Sequence, residues 1–109
     1  MDVRFYETEA GTSPVIDYLR TLPREQRQIA GRAIRALQNA DTLAEAHVDV
    51  RPIKGKLWEI RASYQRVFYV IAARNVWWLL HAYEKDTNKT PEREKDVALR
   101  RMREVLARR

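Results

Sequence analysis

Three short β-rich runs separated by two tight turns, between residues 57 and 85, constrain the fold of this chain more than any other feature. Residues 57–61, 66–72 and 76–85 are rich in Val, Ile, Leu, Tyr, Phe and Trp. The breaks between them are too short for a crossover and demand antiparallel hairpins. Residues 62–65 make the first turn and Arg74-Asn75 the second. With those turn lengths Arg61 faces Arg66, and Arg66 faces Tyr83. Cross-strand partners share a face, as do alternate residues along each strand. One face then carries Arg61, Arg66 and Tyr83 beside Glu59, Phe68 and His81, with Lys85 beyond. The reverse carries Trp58, Ile60, Val67, Tyr69, Ile71, Val76, Trp78 and Leu80, an apolar surface for helices to cover. Trp77 falls on the polar-row face near the second turn. A slip of one residue would send a strand's whole set to the opposite face.

The flanks supply the rest of an α+β domain. Residues 3–6 read as a strand. Ser13-Pro14 is a helix start, with the hydroxyl as cap and proline in the first turn, followed by an apolar stripe of Val15, Tyr18, Leu19 and Leu22. Pro23 opens a second helix over 24–40, where Ile29, Ala33, Ile34 and Leu37 recur at helical spacing. Residues 41–52 form a connector with a short strand around 47–51. Thr90-Pro91 repeats the capping signal, Glu92 and Glu94 suit the field of a first turn, and Ala98, Met102, Val105 and Leu106 give the last helix its apolar stripe. Arg100, Arg101, Arg103, Arg108 and Arg109 take its solvated side. The expected architecture is one domain, 1–109, with an N-terminal strand, a two-helix hairpin, an antiparallel meander and a C-terminal helix.

Charge is placed unevenly along this plan. The 21 Lys and Arg exceed the 15 Asp and Glu, and the excess belongs to the second half: residues 1–50 carry 6 basic and 8 acidic side chains, whereas 51–89 carry 8 and 3. Such asymmetry favours a polyanionic partner or an acidic protein. With no cysteine there is no disulfide framework and no thiolate chemistry. His47 and His81 lack ligand-like spacing, so neither a metal nor another cofactor is expected. The chain shows neither a leader-like N-terminus nor a long apolar run, which reads as cytoplasmic with no membrane association.

Two arginines, a tyrosine, a histidine and a lysine on one rigid face suit a backbone phosphate, with Tyr83 or His81 for proton transfer and for stacking on a base. The same residues also fit a plainer arrangement, in which Arg61, Arg66 and Lys85 solvate an exposed sheet, Glu59 pairs with an arginine, and His81 packs in the core. His47 reads as solvent-facing. Lys54 and Lys56 about Gly55 are a weak phosphate-contact signal, equally ordinary in a loop. If the site is catalytic, RNA is the better substrate class, because its 2′-hydroxyl is a built-in nucleophile. Arg61 and Arg66 would clamp the charge, and Tyr83 would need nearby cations to act as a base.

The segments Lys54-Gly55-Lys56-Leu57-Trp58-Glu59-Ile60-Arg61, Arg66-Val67-Phe68-Tyr69, Leu79-Leu80-His81-Ala82-Tyr83, and Lys85 with Thr87-Asn88-Lys89-Thr90-Pro91 resemble the phage-derived, HigB-like branch of the RelE/ParE toxin superfamily. The resemblance implies a RelE-like fold and a toxin of a type II toxin–antitoxin system. Members similar to this chain are mostly ribosome-dependent mRNA endonucleases paired with an antitoxin that is often a helix-turn-helix protein. It implies metal-free catalysis by Arg61, Arg66, Tyr83 and Lys85, with Lys54 placed less securely; the reading of the residues adds His81 as a catalytic candidate and Lys54, Lys56 and Lys89 as expected RNA contacts. Glu84 and Asp86 depart from the basic pattern and would weaken attraction for phosphate unless they face away. The superfamily also includes DNA-gyrase inhibitors, so a gyrase-poisoning toxin and a non-catalytic module binding RNA or an antitoxin stand as alternatives.

Overall fold

The computed structural model describes residues 1–86 and 88–108; Thr87 of the resembling segment and Arg109, expected on the solvated side of the last helix, lie outside the described residues. The chain runs β1 (Val3–Phe5), α1 (Pro14–Thr21), α2 (Arg24–Asn39), α3 (Leu43–Ala46), β2 (Asp49–Lys54), β3 (Leu57–Ala62), β4 (Gln65–Ala72), β5 (Val76–Glu84) and α4 (Glu92–Ala107). Ser13 caps α1 as its sequence indicates, its Oγ accepting the Ile16 amide at 3.4 Å. The Met1 ammonium donates to the Leu37, Gln38 and Ala40 carbonyls at the end of α2, a cation placed against the negative pole of a helix.

Two local expectations are corrected. The connector holds the one-turn helix α3, started by Thr42 Oγ1 accepting the Glu45 amide at 3.2 Å and stopped by His47 in the left-handed region at φ 54°. One turn is too short to register as a period in the sequence. At α4 the cap is Pro91 rather than Thr90, and among the described residues no side chain makes a cap bond.

The five strands form one sheet in the order β1-β5-β4-β3-β2, antiparallel except for β1, which pairs parallel with β5. Both faces are covered. Against one, α1 and α2 bury Val15, Ile34 and Leu37 on Ile60, Val67, Tyr69, Trp77, Leu79 and Ala82. Against the other, α4 buries Ala98 and Val105 on Leu57, Phe68, Val70, Leu80 and Tyr83. Each fully buried Leu or Phe contributes about 1.5–3 kcal/mol. The expectation that only one face would be covered was therefore wrong, since the apolar stripe of α4 needs a sheet surface of its own.

The register contains two compensating departures. The first turn is two residues, Ser63 and Tyr64, with Ser63 at φ 57°, and it still sets Arg61 against Arg66. The second is three residues, with Arg74 and Asn75 at positive φ, so Ala72 rather than Ala73 faces Val76. A bulge between Phe68 and Tyr69 on their β5 partners absorbs the extra residue, which restores Phe68 to His81 and Arg66 to Tyr83. Between turn and bulge the faces of β5 are exchanged. Trp77 and Leu79 lie on the α1–α2 side, with Trp77 stacked on Tyr69 at 4.5 Å, whereas Val76, Trp78 and Leu80 lie toward α4. Trp58, expected in the core, is 36% exposed at the margin of the hairpin-covered face.

Candidate functional site

The polar row anticipated from the turns exists, but it is roofed by α4. Arg61, Arg66 and Tyr83 are paired across β3, β4 and β5, and Glu59, Phe68 and His81 form the adjacent row. Phe68 stacks on both neighbours, at 6.3 Å from His81 and 5.5 Å from Tyr83. Tyr83 is 5% exposed, Arg66 7% and Glu59 1%. Tyr83 donates its hydroxyl to Glu59 Oε2 at 3.1 Å, and Glu59 Oε1 stands 3.7 Å from Arg66 Nε. Arg66 uses one terminal nitrogen on the Ser63 and Gln65 carbonyls, at 2.6 and 2.9 Å, while its buried Nε has no hydrogen-bond partner among the described residues. A charged cluster this deep, and not fully satisfied, is costly to stability, which makes it a candidate for chemistry.

Burial, with help from the Glu59 carboxylate, pushes the Tyr83 phenol up to about 12. At neutral pH it is therefore a phenol and a proton donor. The phenolate needed for a base is disfavoured, because removal of its proton would add a second negative charge beside Glu59.

His81 bridges β5 to α4. Its Nε2 lies 3.3 Å from both Glu94 carboxylate oxygens, and its Nδ1 lies 3.2 Å from Arg101 Nη1, which also donates to the Leu80 carbonyl at 3.0 Å. A guanidinium only donates, so Nδ1 must be the acceptor, and the proton sits on Nε2 toward Glu94. Burial lowers the His81 pKa below its usual 6.5, Arg101 and Arg100 lower it further, and Glu94 opposes them. A lowered folded-state pKa means that the unfolded chain takes up the proton first, so stability falls as pH drops below about 6.5 toward the folded value. Urea midpoints measured between pH 7.5 and 5 should decline for the native chain and decline less for His81→Gln. Equal slopes would show that His81 is not held neutral.

Glu94 and Arg101 were not singled out as site residues, and Arg101 was assigned to the solvated side. Yet Glu94, Ala98, Arg101 and Val105 share one face of α4 at spacings of 4, 3 and 4 residues. Two charged residues on that apolar stripe were a signal that α4 docks on a polar partner.

The remaining expected residues separate into two groups. At the Ser63–Tyr64 end, Arg61 is half-buried and 3.7 Å from Asp49, and Lys85 is half-buried, its amide bonded to the Tyr64 carbonyl at 2.8 Å. Tyr64, 66% exposed, joins them as an aromatic surface that the sequence reading treated only as turn. Lys89 is exposed in the segment before α4. Lys54 and Lys56 stand apart at the opposite end of β3, roughly 13 Å from Arg61 along the strand. Glu84 faces away from the cluster and accepts the Gln65 amide at 3.0 Å on the hairpin side, where Gln65 also takes the Tyr18 hydroxyl at 2.6 Å. His47 is exposed. Among the described residues no group of three or more His, Asp and Glu side chains is placed to hold a metal ion, and no helix is long and apolar enough to cross a membrane.

The crystal structure of an archaeal RelE–RelB complex from Pyrococcus horikoshii OT3 is similar in fold, with a TM-score of 0.55 at 18% sequence identity, over 76% of this chain and 92% of that chain. No curated protein matches the sequence. Residues 17–103 match the family described as phage derived protein Gp49-like (DUF891), a span that takes in the last five residues of α1, all of α2, the whole meander and most of α4. The α+β architecture of strand, helical hairpin, meander and C-terminal helix is thus a RelE-like fold, and the chain belongs to the phage-derived Gp49-like family.

Proposed function

We propose that this protein is the toxin of a toxin–antitoxin pair and an endoribonuclease that cleaves mRNA on the ribosome without a metal. The observation that carries the reading is the pairing of two groups with opposed proton states on one strand. His81 is held neutral with an Nδ1 lone pair, and Tyr83, two residues on, is held as a phenol, with ring centroids 6.5 Å apart. Groups whose environments drive their pKa values apart serve as base and acid.

The RNA 2′-hydroxyl attacks the adjacent phosphorus and gives its proton to His81. The bond to the 5′-oxygen breaks as Tyr83 supplies a proton, leaving a 2′,3′-cyclic phosphate and a 5′-hydroxyl. Arg61, Arg66 and Lys85 offset charge on the pentacoordinate phosphorus. RNA approaches at the Ser63–Tyr64 end, where Tyr64 is exposed and Arg61 and Lys85 are half-buried. His81 and Tyr83 receive it once Arg101 swings off the His81 Nδ1, while the Glu94 contact that fixes the tautomer stays in place. Lys54, Lys56 and Lys89 add long-range attraction for the phosphate chain.

The partner for this surface is a cognate antitoxin, a helix-turn-helix protein that covers the basic face or blocks entry to the ribosome. A cytoplasmic site of action follows from that role. Primer extension on mRNA after brief expression is expected to reveal new 5′ ends within coding regions. Growth arrest without such ends, or accumulation of cleaved DNA–gyrase complexes in their place, would overturn the endoribonuclease.

A further inference from the structure

We propose that the end of the sheet opposite His81 and Tyr83 holds a second nucleotide site, where Arg74 and Arg108 take a phosphate of single-stranded RNA and Trp78 takes a base. Between β5 and the last turn of α4 lies a cavity of about 480 Å³, within the range of small-ligand sites. Three arginines, Arg4, Arg74 and Arg108, surround Trp78 there over an apolar floor that includes Val76 and Leu106, and among the described residues no carboxylate lines it.

Two of the three guanidiniums are held in place. Arg4 is paired with Asp2 at 2.9 Å and lies 5.8 Å from the Trp78 ring centroid. Arg108 lies 5.3 Å from the Tyr6 ring centroid, 3.6 Å from Glu104 and 3.4 Å from the Glu7 carbonyl. Arg74 sits at φ 64° in the three-residue turn, and its side chain has no ion-pair or hydrogen-bond partner among the described residues.

Arg4 and Arg108 have carboxylates beside them in Asp2 and Glu104, so Arg74 is the charge that an incoming anion would pair. Arginine rather than lysine suits phosphate, because its planar fork binds two oxygens at once. A half-buried indole facing the same space offers a stacking surface for any base. An acidic peptide would satisfy the arginines and leave the indole unused, so a nucleotide fits the whole lining better. Trp78 is five residues from Tyr83 along β5, roughly 17 Å. A strand entering the proposed cleavage site would thus meet a second anchor at the far end of the same β-strand. The identity of the strand as the cleaved RNA rests on the function proposed above; the site itself does not.

The test is a titration of the ¹⁵N-labelled full chain with hexauridylate at low salt, following the three tryptophan indole signals and the Arg74 Nε signal. Trp78 and Arg74 should shift saturably while Trp58 stays still. Arg74→Gln should weaken binding about tenfold and reduce the logarithmic salt slope by about 0.7, the share of one phosphate contact on a single strand. The same variant should leave the urea midpoint unchanged, which separates lost binding from lost folding. Trp78 unmoved by hexauridylate overturns the proposal. So does an equal shift with inorganic phosphate alone, which marks a simple anion site, or tighter saturation by hexaglutamate, which marks an acidic-peptide surface. Absence of mRNA cleavage with this titration positive would defeat the proposed function and leave the second site standing.

Discussion

Arg66→Ala is expected to lower the unfolding free energy by about 3–5 kcal/mol, a large part of what a domain of this size has in hand. The substitution removes the cation 3.7 Å from Glu59 and leaves that carboxylate 1% exposed, with the Tyr83 hydroxyl donating to it. It also frees the Ser63 and Gln65 carbonyls that Arg66 now bonds, loosening the turn that sets the meander register. Removing both charges avoids the orphaned carboxylate, so Glu59→Gln with Arg66→Met should recover most of the loss. Urea unfolding of Glu59→Gln, Arg66→Met and the double variant measures the coupling. If Arg66→Ala costs under 1 kcal/mol, the cluster is open to water in solution and the roof formed by α4 is loose.

The second large effect is on activity. Tyr83→Phe should reduce cleavage of ribosome-bound mRNA by roughly 10²–10⁴-fold, the usual share of a proton donor in the transition state. RNA binding should remain close to the native value, since the ring still stacks on Phe68 and no phosphate contact is lost. Stability should fall by about 1–3 kcal/mol, because Glu59 Oε2 loses a buried donor. Cleavage must accordingly be measured below the onset of unfolding. With the phenol pushed up to about 12, a proton donor keeps full activity well above neutral pH, whereas a phenolate base would gain activity as pH rises toward that value. Cleavage within a few-fold of native would remove Tyr83 from the chemistry and leave it as Glu59's packing partner.

The parts legible in the sequence were those governed by neighbours along the chain. Ser13-Pro14 began a helix because capping is local, and the period-3.6 stripes of α1, α2 and α4 placed those helices to within a few residues. The pairings of Arg61 with Arg66 and Arg66 with Tyr83 were also right, although the assumed turn lengths were not. The three-residue second turn moves the register by one and the bulge moves it back, so the error shows only between residues 76 and 80. There it placed Trp78 and Leu80 on the wrong side and misassigned Trp77. No residue type in that run announces a bulge, since all five positions from Val76 to Leu80 are apolar and tolerate either face.

What the sequence determined by itself was a basic, antiparallel meander with its arginines, histidine and tyrosine in one register, because strand alternation follows from the two-residue repeat of the backbone. Which face of that meander meets solvent was decided only by tertiary structure. The stripe of α4 needed a partner surface, and either face could have supplied one. Packing over Phe68 and Leu80, with Glu94 and Arg101 engaging His81, turned an expected open phosphate platform into a buried polar cluster. The pairing of β1 alongside β5 was likewise decided at that level, since contacts between residues more than seventy positions apart leave no mark on local periodicity.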